Sequence, residues 1–262
     1  MTALYANPQP LSGAPRDLQL APQAGFGFAR HVTEVPIHGF ELTTMVATLP
    51  LALQPGDPER PMVGILGHVA DENVWVGPKG GWIAPSTPAA LETYPFVAGP
   101  RSDDPETGTL FADFGGGLLV DREGLALFDD DGAPTQTLVD YRDAAIRQYR
   151  DRRKVAQAVA ALDEAGVLAP FEANADVETV DSARHVYVST QALAQVDDET
   201  FRHLRRVGAL PIAFGQAHSL VNMRKVRRMH QRWQRQARLR RGGRAVESLV
   251  PGEDEDIVLD FG

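Results

Sequence analysis

The chain changes its period near residue 135, and that switch limits its fold more than any other feature. Before it, Pro and Gly, 19 and 24 in the whole chain, cut the sequence into short pieces. Between the breaks lie short apolar or β-branched runs such as Met62–Val69, Phe111–Phe114, Gly117–Val120 and Leu125–Phe128. These read as strands joined by turns. From Thr135 to Ala165 the apolar residues instead recur at helical spacing. Leu138, Tyr141, Ala145, Tyr149, Val155, Val159 and Leu162 share one face, and Gly166 stands where a helix C′ residue belongs. Arg147–Lys154 (RQYRDRRK) reads as the solvated face of that helix. Strands gathered early and helices late describe an α+β fold, without the strict alternation of a doubly wound parallel sheet. The architecture predicted is a mostly antiparallel central sheet, a long mid-chain helix and a long C-terminal helix.

Smaller elements fit around these. Arg30–Ile37 ends at Pro36-Ile37 and reads as an edge strand. Gly39–Leu49 reads as a helix, Pro50–Pro61 as a loop, and Asn73–Ile83 as a hairpin around Gly77–Gly81. Ser86–Tyr94 is a short helix. Phe171–Thr179 and His185–Ser189 read as strands, and Thr200–Val207 as a helix closed by Gly208. A last helical stripe runs from about Ile212 to Arg241 through Phe214, Ala217, Val221, Val226, Met229, Trp233 and Ala237, with some drift in its steps. The domain reading is a flexible N-terminal arm at 1–24, one α+β domain at 25–241 ending in a basic helix, and an acidic tail at 242–262.

Charge is sharply segregated. Residues 1–200 carry 13 Lys/Arg against 29 Asp/Glu, 201–246 carry 13 Lys/Arg and no acid, and 247–262 carry six acids and no base. Such asymmetry marks an association surface or a contact between parts of one molecule. Arg224, Arg228, Arg232 and Arg235 are the candidate contact residues. An acidic protein surface or the chain's own acidic tail fits them, while the acid carried elsewhere opposes nucleic acid.

The chemistry that needs a motif finds none. There is no Cys, which excludes disulfides, thiolate metal sites and Cys nucleophiles. No phosphate-binding glycine loop, dinucleotide fingerprint, nucleophile elbow or H-E-x-x-H helix occurs. His31, His38 and Glu41 are the nearest approach to a His/His/carboxylate set, across a Pro and a turn. No metal and no cofactor is expected. His218 heads an apolar stripe, where a His is either hydrogen-bonded in a core or put to use. If a pocket lies on the sheet, His31 and His218 with Trp75, Trp82 and Tyr94 are its candidate residues. Asp113, Asp121 and Asp129–Asp131 read as turn caps.

No secretory leader or stretch of about 18 apolar residues is visible. A cytoplasmic setting is the default, and the C-terminal GEDEDIVLDFG leaves an uncleaved C-terminal export signal as the alternative.

Five segments in order carry a family resemblance: Phe28–His31 with Val35–Ile37 and Phe40-Glu41; Tyr94-Pro95-Phe96; Leu127–Thr135 (LFDDDGAPT); Ala161–Phe171; and His203–Gly208 with His218-Ser219-Leu220 and Asn222. Together they resemble the bacterial SapC family over about residues 25–230. The resemblance implies an accessory protein, linked by the family's name to surface layers and acting by protein–protein contact. It attaches no enzymatic activity, and it does not extend to the Arg-rich segment after about Arg228 or to the acidic tail. The alternative is a peptide- or small-molecule-modifying or binding protein with a His-containing pocket, with or without a non-haem metal.

Overall fold

The switch at Thr135 is the start of the longest regular element. A computed structural model describes residues 4–22, 25–101, 107–171, 178–181 and 183–247. Its strands are β1 (Pro8–Pro10), β2 (Gln19–Leu20), β3 (Glu34–Pro36), β4 (Leu51–Leu53), β5 (Met62–Ile65), β6 (Phe96–Gly99), β7 (Thr109–Asp113), β8 (Leu119–Val120), β9 (Leu125–Ala126), β10 (Leu168–Pro170) and β11 (Val186–Val188). Its helices are α1 (Leu42–Val46), α2 (Ala89–Thr93), α3 (Gln136–Glu164), α4 (Thr190–Leu193), α5 (Asp198–Arg206), α6 (Ala209–Ser219) and α7 (Met223–Glu247). The fold is α+β, and every strand pair in the described residues is antiparallel.

The largest sheet has the order β10-β11-β4-β5-β3, with β3 at its edge as the Pro in Val35-Pro36-Ile37 requires. Two three-stranded sheets, β1-β7-β6 and β8-β2-β9, lie beside it. Helix α3 packs on β6, β7 and β5, and against α6, so it ties the sheets together. Its ends are set by local chemistry. The Thr135 hydroxyl accepts from the Leu138 amide, and Gly166 follows the helix at φ 66°. Gly208 plays a similar punctuating part between α5 and α6 at φ 74°.

Leu51, Ala52 and Leu53 form a strand where a loop was predicted. All three are buried, so the run lacks the alternation that marks a half-exposed strand. Strand β10 precedes the predicted Phe171–Thr179 strand, most of which lies outside the described residues.

The N-terminal segment is not a loose arm. β1 pairs with β7 and β2 lies between β8 and β9. Leu11, Leu18 and Leu20 form a second apolar cluster with Phe96, Ala112, Leu127 and Leu138. Proline-rich composition suggested disorder, but the leucines spaced through the segment supply enough apolar surface to dock it. The carboxylate of Asp113, fully buried, fixes its start: it accepts from the amides of Ala6 (3.0 Å) and Asn7 (2.7 Å), from Gly115 (3.0 Å) and from the Tyr94 hydroxyl (2.8 Å).

The predicted long C-terminal helix is present from Ala209 to Glu247, with a local tightening inside it. A 3-10 turn at Leu220–Asn222 separates α6 from α7. Three polar side chains explain the tightening. Ser219 Oγ donates to the Gln216 carbonyl and accepts from the Leu51 amide. Asn222 donates to the carbonyls of Val46 and Leu49. The Gln216 amide reaches β4 and β11. The tightened turn brings these groups onto the sheet, and the drift in the apolar stripe is its trace in the sequence.

Candidate functional site

The five predicted pocket residues are distributed between surface and core. His31 is exposed, with Nδ1 3.0 Å from the Asp71 carbonyl. His218 is exposed on α6. Trp75 is buried in the main core, with the Lys225 ammonium 5.2 Å from its ring centre. Tyr94 and Trp82 belong to one aromatic ladder: Tyr5–Tyr94 at 5.7 Å, Tyr94–Phe28 at 4.4 Å, Phe28–Phe26 at 6.0 Å and Phe26–Trp82 at 5.8 Å. The ladder fastens the N-terminal segment to the body, and the two histidines stand apart from it.

The His31/His38/Glu41 set does not assemble either. His38 and Glu41 close on each other, Nδ1 to Oε1 at 2.9 Å, and Glu41 also accepts from the His38 and Ala89 amides. This is a helix-start box joined to α2. Among the described residues no cluster of His, Asp and Glu is arranged to hold a metal ion.

The four predicted contact arginines lie on α7. Val226 and His230 are buried and Met229 and Trp233 half-buried, so one face of the helix is docked. The Trp233 indole donates to the Val74 carbonyl at 2.9 Å, and His230 Nδ1 meets Glu72 at 2.6 Å. Beside His230 lies His68, ring centres 4.6 Å apart. Burial first, then the His230 charge, holds the His68 imidazole below its usual pKa, and its Nδ1 is buried without a hydrogen-bond partner among the described residues. Arg224, Arg228, Arg232 and Arg235 all fall on the opposite, exposed face. None of the four forms an ion pair among the described residues.

A second feature was hidden from sequence reasoning. The residues predicted as the solvated face of α3 include Arg152, which is buried. Its Nη2 donates to the Ala98 carbonyl at 3.1 Å and pairs with Glu59 Oε2 at 2.7 Å. Close by, Glu34 on β3 is also buried. Its carboxylate meets Arg60 at 2.8 Å, Arg184 at 3.3 Å and His185 Nε2 at 3.0 Å. The Asp181 amide donates to His185 Nδ1, so the proton of the neutral ring sits on Nε2 and points at Glu34. Burial pushes the Glu34 carboxyl upward, but the His185 hydrogen bond, the electrostatic pull of that ring and the charges of Arg184 and Arg60 outweigh it and leave the group below its ordinary range. Arg152, Arg60, Glu34 and Glu59 line a cleft of about 390 Å³ whose remaining wall is mostly apolar, including Tyr5, Val97 and Phe111. The sequence held one clue, a glutamate inside an otherwise β-branched edge strand.

Many residues that carried the family resemblance turn out to hold the fold. Asp129 closes its turn by accepting from Asp131 and Ala133, Thr135 caps α3, and Ser219 and Asn222 clamp α6 to the sheet. The SapC family profile matches residues 14–226. The chain belongs to the SapC family. No curated protein and no solved structure matches it. The SapC match begins inside the N-terminal segment, consistent with that segment's packing. It ends four residues into α7, so SapC membership covers the docked start of that helix and leaves most of its arginines outside. No described helix is long and apolar enough to cross a membrane. Residues 242–247 of the predicted acidic tail continue α7, and 248–262, with the C-terminal apolar residues, lie outside the described residues.

Proposed function

We propose that the protein is a non-enzymatic accessory protein that works by holding an acidic protein partner on the exposed face of α7. The observation that carries this reading is the pairing of a docked face with a charged one. Trp233 and His230 fix the helix to the body while Arg224, Arg228, Arg232 and Arg235 stay turned outward. A planar guanidinium grips a carboxylate through two parallel hydrogen bonds, and an ordered row of them loses less entropy on binding than a loose tail would. The chain is a SapC member, and a bacterial surface-layer setting, to which the family's name is linked, suits a protein that works by contact. The dispersal of His31 and His218, and the use of the motif residues as caps and clamps, weigh against the pocket-enzyme reading.

The test is in-cell crosslinking of the full chain, followed by direct binding to the partner so identified. The expected partner is acidic where it contacts α7, and about 0.5 M salt weakens the complex strongly because the contact is exposed. Reversing all four charges (Arg224→Glu, Arg228→Glu, Arg232→Glu, Arg235→Glu) should abolish binding and leave the melting temperature of the body unchanged. A partner held equally well by the reversed variant overturns the proposal, as does a chain that crosslinks to nothing.

A further inference from the structure

We propose that the cleft between β3 and β6 binds a small monocarboxylate with an apolar body, its carboxylate displacing Glu59 from Arg152. The site is independent of the α7 surface. Its walls come from the N-terminal segment (Tyr5), β3 (Pro36), β6 (Val97) and β7 (Phe111), with Arg152 from α3 at the polar end. About 390 Å³ is near the small end of the range for ligand pockets, which fits one ring or a short alkyl chain.

The charges select the ligand. A buried guanidinium requires an anion. The anion on Arg152 is Glu59, whose side chain is 57% exposed while that of Arg152 is only 8% exposed. An exposed loop carboxylate is held by little except this one contact, so a ligand can replace it with modest loss. The other carboxylate is different: Glu34 is buried and engaged by Arg60, Arg184 and His185, so it stays. Arg60 is itself occupied by Glu34 and Asp57. One cation is therefore open to exchange, and the fixed charge of Glu34 disfavours a dianion such as a phosphate monoester. The apolar body of the ligand lies along Tyr5, Val97 and Phe111.

The probe is 3-phenylpropanoate, with 3-phenylpropanamide as its uncharged match, titrated calorimetrically into the full chain. The carboxylate should bind saturably and the amide about tenfold more weakly, since a charge-assisted contact is lost. Glu59→Gln removes the internal competitor, raises the fraction of binding-competent cleft and should tighten the carboxylate several-fold. Val97→Trp fills the cleft and should abolish binding while the protein remains folded by circular dichroism. Equal affinity for carboxylate and amide overturns the proposal. So does weaker binding in Glu59→Gln, unchanged binding in Val97→Trp, or no saturable binding in either the wild type or Glu59→Gln.

Discussion

The Gln216 side chain bridges Val188 of β11 and Leu51 of β4. The two strands pair directly at Val186 and Leu53. The Val188 amide donates to Gln216 Oε1 at 2.9 Å, and Gln216 Nε2 donates to the Leu51 carbonyl at 2.9 Å. A side-chain amide thus does the work of a missing peptide in the ladder, fully buried. Gln216→Ala leaves a buried N–H and a buried carbonyl unpaired and should cost about 2–4 kcal/mol. Urea unfolding measures the loss, and the Val188 amide should exchange with deuterium faster than its neighbours. A neutral result would mean that β11 and β4 close on each other directly.

Asp113 makes the docking of the N-terminal segment depend on acid. Burial raises its pKa, but the amides of Ala6 and Asn7, the Tyr94 hydroxyl and the Gly115 amide together hold it below the ordinary value. Since the folded pKa is depressed, the stabilisation is complete above the unfolded value of about 3.9 and is lost as pH falls through the folded one. Asp113→Asn should remove that acid dependence and weaken the fold at neutral pH by about 2–3 kcal/mol, because an amide cannot accept from all four donors. Denaturation at neutral and acidic pH, with proteolysis between Ala6 and Gly13 as a local probe, distinguishes the segment from the rest. Unchanged acid sensitivity in the variant would assign it to another carboxylate.

The hold on α7 is local enough to loosen by itself. Trp233→Phe keeps the aromatic body but strands the Val74 carbonyl that the indole satisfies. The expected cost is about 1 kcal/mol. Hydrogen exchange should rise in α7 after Val226 and stay unchanged in α3. A uniform rise across the chain would show that α7 unfolds only with the body.

The long helix and its stops were legible because they rest on local signals: spacing, a Thr cap and a positive-φ glycine. The α+β class followed from the same switch of period. What the sequence concealed depends on distant partners. Arg152 looks like its exposed neighbours until β6 and Glu59 are placed around it. Gln216 and Asn222 look like polar interruptions of an apolar stripe until β4 and the residues before it supply their partners. His31 and His218 are the converse, prominent in a motif and then left at the surface. The N-terminal segment was misread because its proline content describes the backbone, while its fate was decided by Leu11, Leu18 and Leu20.

The outward arginines of α7 give this acidic molecule a concentrated basic strip. Its sequence pI is about 5.3, and a standard purification would treat it as an anion near neutrality. Yet Arg224, Arg228, Arg232 and Arg235 line one exposed helix face, so positive charge is concentrated rather than spread. It should therefore be retained by both anion- and cation-exchange resins at the same pH, the cation exchanger holding it through α7. At any negatively charged surface the same strip would orient the protein before a specific contact forms.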